Sequence, residues 1–143
     1  ATLLEITEIR ILLESQSAYW AAKRATEEEL DELREILTQS HACLEKNLEC
    51  QDRVHFDFHD AIVRFSKNSF VIRLLSSLHA EITAQRAKYE DVSAEDQIDL
   101  IKDQEEIISH VLNREPEKAR KAMEKHLNKG LMMLAPHSPE AKP

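Results

Sequence analysis

A chain of 143 residues with a single glycine, Gly130, has almost no means of turning tightly. Two-residue hairpins call for residues that accept positive φ, and sandwiches and barrels need many such turns. Three of the four prolines fall in the last eight residues, which leaves Pro116 as the one proline in the body of the chain. The whole chain is 42% hydrophobic and 32% charged, a mixture rich in Ala, Leu, Glu and Lys that suits packed amphipathic helices. The expected fold class is therefore all-α. The length fits one domain with a real core.

Apolar periodicity divides the chain into six helices. Leu3, Ile6, Leu13 and Trp20 form a stripe through residues 3–24, with Ile9 and Leu12 alongside. Thr26 followed by Glu29 is a capping-box signature opening a helix that carries Leu30, Leu33, Leu37 and Leu44. A third helix spans roughly residues 49–66. "SKNS" at 66–69 breaks it, and Phe70, Leu74, Leu75, Leu78 and Ile82 define a fourth, which runs to about Tyr89. Ser93 suits the N-cap of a fifth, with Ile101, Ile108 and Val111 inward. Pro116 suits the first position of a sixth, where its missing N–H costs nothing, and that helix ends near Leu134. The expectation is an antiparallel bundle of six or seven helices over residues 1–135, with a disordered tail at 136–143.

Charge and cysteine content narrow the function classes. Twenty-seven acidic and nineteen basic residues give a formal charge of −8, the wrong sign for a surface that binds nucleic acid directly. Cys43 and Cys50 are too few for a disulfide framework, and no apolar run reaches the length of a membrane span. A soluble cytoplasmic protein with no membrane partner is expected. The chain starts without Met and runs straight into a helical pattern, so it reads as a fragment of something longer.

The informative residues are polar ones at positions that the periodicity assigns to the core, because burying them unpaired costs a few kcal/mol each. His55 and His59 share a helix face with Phe58, Ile62 and Phe65. Gln104 lies between Ile101 and Ile108, His126 follows Ala119, Ala122 and Met123, and Arg10 sits one turn past Ile6. An i, i+4 histidine pair can offer two imidazoles to one cation. A third imidazole from another helix would complete an open three-nitrogen site. An arginine in the same cavity would hold a carboxylate bidentately. The plainer alternatives are histidines bonded to backbone carbonyls, a buried amide with two partners, and an Arg10–Glu14 ion pair. The residues alone leave both open.

Four segments in order then show a resemblance. "EIRILLE" (8–14), "AAKRATEEELDEL" (21–33), "HFDFHDAIVRFSKNSFV" (55–71) and "REPEKARKAMEKHL" (114–127) resemble the successive motifs of the FCD domain. That domain is the C-terminal effector-binding unit of FadR-type GntR-family transcription regulators. The resemblance implies a six- or seven-helix bundle that senses a small carboxylate metabolite, an organic or sugar acid. It also implies a homodimer, and DNA binding through an N-terminal winged helix-turn-helix absent from this fragment. Many members hold a divalent metal through one Asp and three His.

Carried over, the family's Asp falls on His55, its first His on His59, its fifth-helix His on Gln104, its last His on His126 and its first-helix arginine on Arg10. Two ligand positions depart from the pattern. His for Asp shifts preference from Mn or Mg toward Zn, Ni or Co, with Zn or Ni expected here, and Gln104 becomes a weak or indirect ligand that can touch the effector instead. The reading is an effector sensor that controls operator binding and has no catalytic residues. Its alternatives are a metal-free sensor that uses Arg10 and a polar cavity, and a three-histidine metalloenzyme. Against the last, no acid on a buried stripe offers itself as a base, since the glutamates fall mostly on solvent faces.

Overall fold

The computed structural model describes residues 2–45, 51–87 and 93–134, with side chains for all of these except 3, 51–55, 83–87, 133 and 134. Among the described residues there are six helices and no strand: α1 (Leu3–Arg24), α2 (Glu27–Glu45), α3 (Gln51–Phe65), α4 (Ser69–Ala87), α5 (Ala94–Leu112) and α6 (Pro116–Leu134). The all-α expectation holds, and each expected helix exists. The tail at 136–143 lies outside the described residues, as does Cys50.

The starts of the helices follow local chemistry. Thr26 and Glu29 exchange the two bonds of a capping box, at 2.8 and 3.2 Å, ahead of α2. Thr2 and Glu5 do the same for α1. Ser93 accepts from the backbone N–H of Asp96 at the head of α5. In the "SKNS" break, the side-chain Oδ1 of Asn68 accepts from the N–H groups of Phe70 and Val71, so it caps α4. Each cap satisfies backbone donors that a helix start would otherwise leave without partners.

α1 lies at the centre, packed against α3, α4, α5 and α6. Its deepest face is built from small residues: Ser17, Ala18, Ala21 and Ala22 are all buried, as is Ala25 just past its end. They let α6 approach through Ala119 and Met123, and the core continues through Phe58, Ile62 and Phe65 of α3 and Ile107, Ile108 and Val111 of α5. This corrects the apolar stripe expected on α1. Ile9 and Leu12 are 45% and 67% exposed, while Leu13 and Trp20 meet α4 in a second cluster with Val71 and Leu75. On α4, Phe70 and Leu74 face outward as well.

The turns at one end of the bundle are made without glycine. Lys67 and Arg114 adopt φ of 61° and 55°, the left-handed region that costs about 1–2 kcal/mol for residues with a Cβ. Both side chains bond across a helix junction, Lys67 to Glu29 of α2 at 2.5 Å and Arg114 to the Ala22 carbonyl of α1 at 3.2 Å. Arg24 donates to the Ser66 carbonyl past the end of α3 at 2.8 Å. Helix ends with unbonded carbonyls are thus tied to neighbouring helices.

The single glycine is spent inside a helix. Gly130 lies in α6 with nothing within 4 Å of where a Cβ would sit. Gly130→Ala should therefore stabilise the bundle by about 0.5–1 kcal/mol through lower unfolded-state entropy and better helix propensity. A urea denaturation midpoint that rises relative to wild type checks this, with the slope unchanged.

Candidate functional site

Thr7, Arg10 and Glu14 recur at helical spacing on one side of α1, and Thr7 and Glu14 are buried. Glu14 is the unexpected member. Its carboxylate is 4% exposed and accepts from Arg10 Nε at 2.6 Å through one oxygen. The other oxygen lies 2.5 Å from Nδ1 of His59 on α3, itself a buried side chain. The chain Arg10–Glu14–His59 thus runs from the edge of the bundle to its interior.

Electrostatics fix its charge state. Burial alone would raise the Glu14 carboxyl, but Arg10 and His59 overcome this and hold it well below the ordinary range, so it is ionised. Burial pushes His59 down to about 4 against the attraction of Glu14. Arg10 already balances the carboxylate, so a second buried cation gains little. At neutral pH His59 is a neutral imidazole donating Nδ1–H to Glu14.

His126 enters from α6 at 2% exposure. Its ring lies 5.4 Å from that of His59, nearly parallel at 25°. Phe58 sets its ring edgewise to both, at 4.8 and 6.2 Å. Behind His126, Nδ1 is 3.5 Å from Oδ2 of Asp103 on α5. Lys129 Nζ donates to Oδ1 of that carboxylate at 2.9 Å and forms an ion pair with Oδ2 at 2.8 Å. Burial opposes ionisation of Asp103, but His126 and Lys129 prevail and lower its pKa.

Of the residues expected at the site, the structure brings together Arg10, His59 and His126. Gln104 is fully buried on α5, next in sequence to Asp103. His55 lies in α3 one turn before His59, with its side chain outside the described residues. Sequence periodicity did not single out Glu14, Asp103 or Lys129. The expectation that no acid sits on a buried stripe is wrong, because Glu14 shares the α1 face of Thr7, Ala18 and Ala21. That spacing is legible once the small residues, rather than the large ones, are taken as the inward face.

The donors can be tested against a cation. Two imidazoles bound to one ion through ring nitrogens at about 2.0–2.1 Å, with a tetrahedral angle between them, hold their centroids roughly 5 Å apart. The 5.4 Å between His59 and His126 agrees with that spacing. The Glu14 bond to Nδ1 is the outer contact that metal-bound histidines commonly make. No group of three or more His, Cys, Asp or Glu able to hold a metal is found among the described residues.

Two outcomes follow from the buried charges. Glu14→Ala should cost about 3–5 kcal/mol, because it leaves the Arg10 charge without its partner in a largely buried setting; chemical denaturation with far-UV circular dichroism reads this. In chelator-treated protein, acidification lets the unfolded chain protonate a histidine near 6.5 while folded His59 resists until about 4. Stability should therefore fall by about 2 kcal/mol between pH 7 and pH 5, and this fall should shrink in His59→Gln.

The family model described as the FCD domain matches residues 5–129. Among solved structures, E. coli McbR/YncC superposes with a TM-score of 0.80 at 21% identity, over 93% of this chain and 64% of that one. Streptococcus agalactiae GntR superposes with a TM-score of 0.74 at 21% identity, over 88% of this chain and 56% of that one. The chain therefore spans less than two thirds of either neighbour's length, and at this identity the likeness is one of fold. No curated protein matches the sequence.

Proposed function

The chain belongs to the FCD domain family, and from that premise we propose that it is the effector-sensing and dimerising part of a cytoplasmic GntR-family transcription regulator. The effector is a small carboxylate, an organic or sugar acid. The observation that carries this reading is the buried charged network, Arg10–Glu14–His59 with His126 stacked beside it. A core with only a structural task gains little from two charges and two imidazoles, since apolar residues of similar volume are often as stable there. Binding, rather than catalysis, is the task that these groups suit.

Arg10 commits Nε to Glu14 and keeps its terminal nitrogens uncommitted among the described residues, which suits bidentate capture of a carboxylate. His59, His126 and His55 would hold a divalent ion, Zn or Ni by donor type, with Gln104 a weak or indirect contact. The ion would supply positive charge for the effector's carboxylate. That charge matters because Arg10 and Asp103 are each already neutralised by a partner, Glu14 and Lys129.

Two copies would meet through the apolar groups exposed on neighbouring α1 and α4: Ile9, Leu12, Phe70 and Leu74. DNA would be read by a winged helix-turn-helix N-terminal to this domain. The effector would act by binding one arrangement of the dimer better than the other.

Calorimetry with a panel of small di- and hydroxycarboxylates, with and without one equivalent of Zn or Ni, tests the sensor reading. At least one acid should bind, with Arg10→Gln weakening it tenfold or more. No heat and no thermal shift from any acid, metal-loaded and metal-free alike, would sink it. Sedimentation should show a dimer that Leu12→Glu converts to monomer, and a wild-type monomer at high concentration would remove the dimer claim.

A further inference from the structure

The Glu14–His59 pair has no open approach. Glu14 is 3% exposed and His59 9%, so a ligand can meet them only if a helix moves. Among the described side chains, α4 is the least buried of the six helices. It packs on α1 and α3, and between residues 69 and 82 its buried side chains are Val71 and Leu75. These close a seam with Leu13 and Trp20 of α1 and Val63 of α3, separate from the main core. Farther along, α4 meets α3 in a ring contact at the surface, Phe56 to His79 at 4.6 Å.

The seam runs beside the pair. Leu13 precedes Glu14 on α1, and Val63 stands one turn beyond His59 on the same side of α3. The head of α4, in contrast, is fixed. Arg24 Nη1 donates to the Ser66 carbonyl at 2.8 Å, with its guanidinium 4.8 Å over the Trp20 ring. Lys67 Nζ donates to Oε2 of Glu29 at 2.5 Å, and Oε1 of that carboxylate accepts the Thr26 N–H at 2.8 Å. The turn between α3 and α4 is thus pinned twice to the turn between α1 and α2. Beyond the pins α4 is held by few buried apolar side chains, the condition that favours local opening.

We propose that α4 is the lid of the domain, opening away from α1 and α3 about the pinned turn at 66–68 and uncovering Glu14 and His59. A lid of this kind admits a ligand and then closes over it. In its use as an entry route it rests on the sensor reading above, whereas the motion itself does not depend on what the effector is. Phe70 and Leu74 stand on the outer side of the same helix, so opening also shifts the apolar surface offered to a second copy.

Amide hydrogen exchange of the whole chain, with no ligand added, reads the lid. Amides in 70–82 should exchange faster than those of α1, α5 and α6. Trp20, the one tryptophan, lies in the seam, so its fluorescence should change at lower urea than far-UV circular dichroism does. Glu29→Gln keeps the capping box, which accepts Gln, but removes the ion pair to Lys67. Exchange in α4 should then rise about two- to fivefold, the range for an exposed pair, with α6 unchanged. Slow deuteration at the carbon between the two ring nitrogens of His59, read by mass spectrometry against exposed His41, should rise with it. Leu12→Glu is run alongside, so that contact between copies does not mask the motion. Exchange in 70–82 as slow as in α1 in both proteins, with coincident urea transitions, overturns the proposal. Faster α4 exchange in Glu29→Gln with His59 deuteration unchanged overturns it too, because α4 would then not cover the site. A failure of every carboxylate to bind leaves these readouts untouched, so the lid and the sensor reading fail separately.

Discussion

Glu14 is the residue on which the interior depends. A carboxylate taken out of water is stable only when paired and hydrogen-bonded, and Arg10 on one side and His59 on the other meet that need. Arg10 is one turn away on the same helix, whereas His59 comes from α3. The bond to His59 therefore fixes the register of α3 against the central helix. With His59 placed, Phe58 and His126 follow, because their rings pack against it. A local need for charge compensation thus becomes the geometry of a site shared by α1, α3 and α6.

The rest of the bundle holds that geometry from one end. Arg24, Arg114 and Lys67 tie α1, α2, α3 and α5 together where these helices start or stop, two of them from left-handed backbone positions that other families of turn would give to glycine. The small residues of α1 bring α6 close enough for His126 to reach His59. The cross-helix bonds thus cluster at one end of the bundle, and the buried polar groups lie in its middle.

Much of this was legible in the sequence. Scarcity of glycine and the spacing of leucines pointed to an all-α bundle, and Thr26, Ser93 and Pro116 marked helix starts that the structure places within a residue. Arg10, His59 and His126 stood out as polar groups among apolar neighbours. Glu14 did not, because charge made it look like a solvent-face residue and because large side chains drew attention to the wrong face of α1. Ile9 and Leu12 lie on the outer side for the same reason: on α1, packed by four other helices, the deepest face carries the small side chains. Asp103 and Lys129 carry no local signal, since their pairing depends on how α5 meets α6.

The central claim is that the buried imidazoles form a ligand site. X-ray absorption at the metal edge of protein loaded with one equivalent of Zn reads it most directly. The account predicts a shell of nitrogen and oxygen donors near 2.0–2.1 Å with the multiple-scattering signature of at least two imidazoles. A sulfur shell near 2.3 Å, which would put the ion on a cysteine, or a shell of oxygen donors without imidazole, would contradict it.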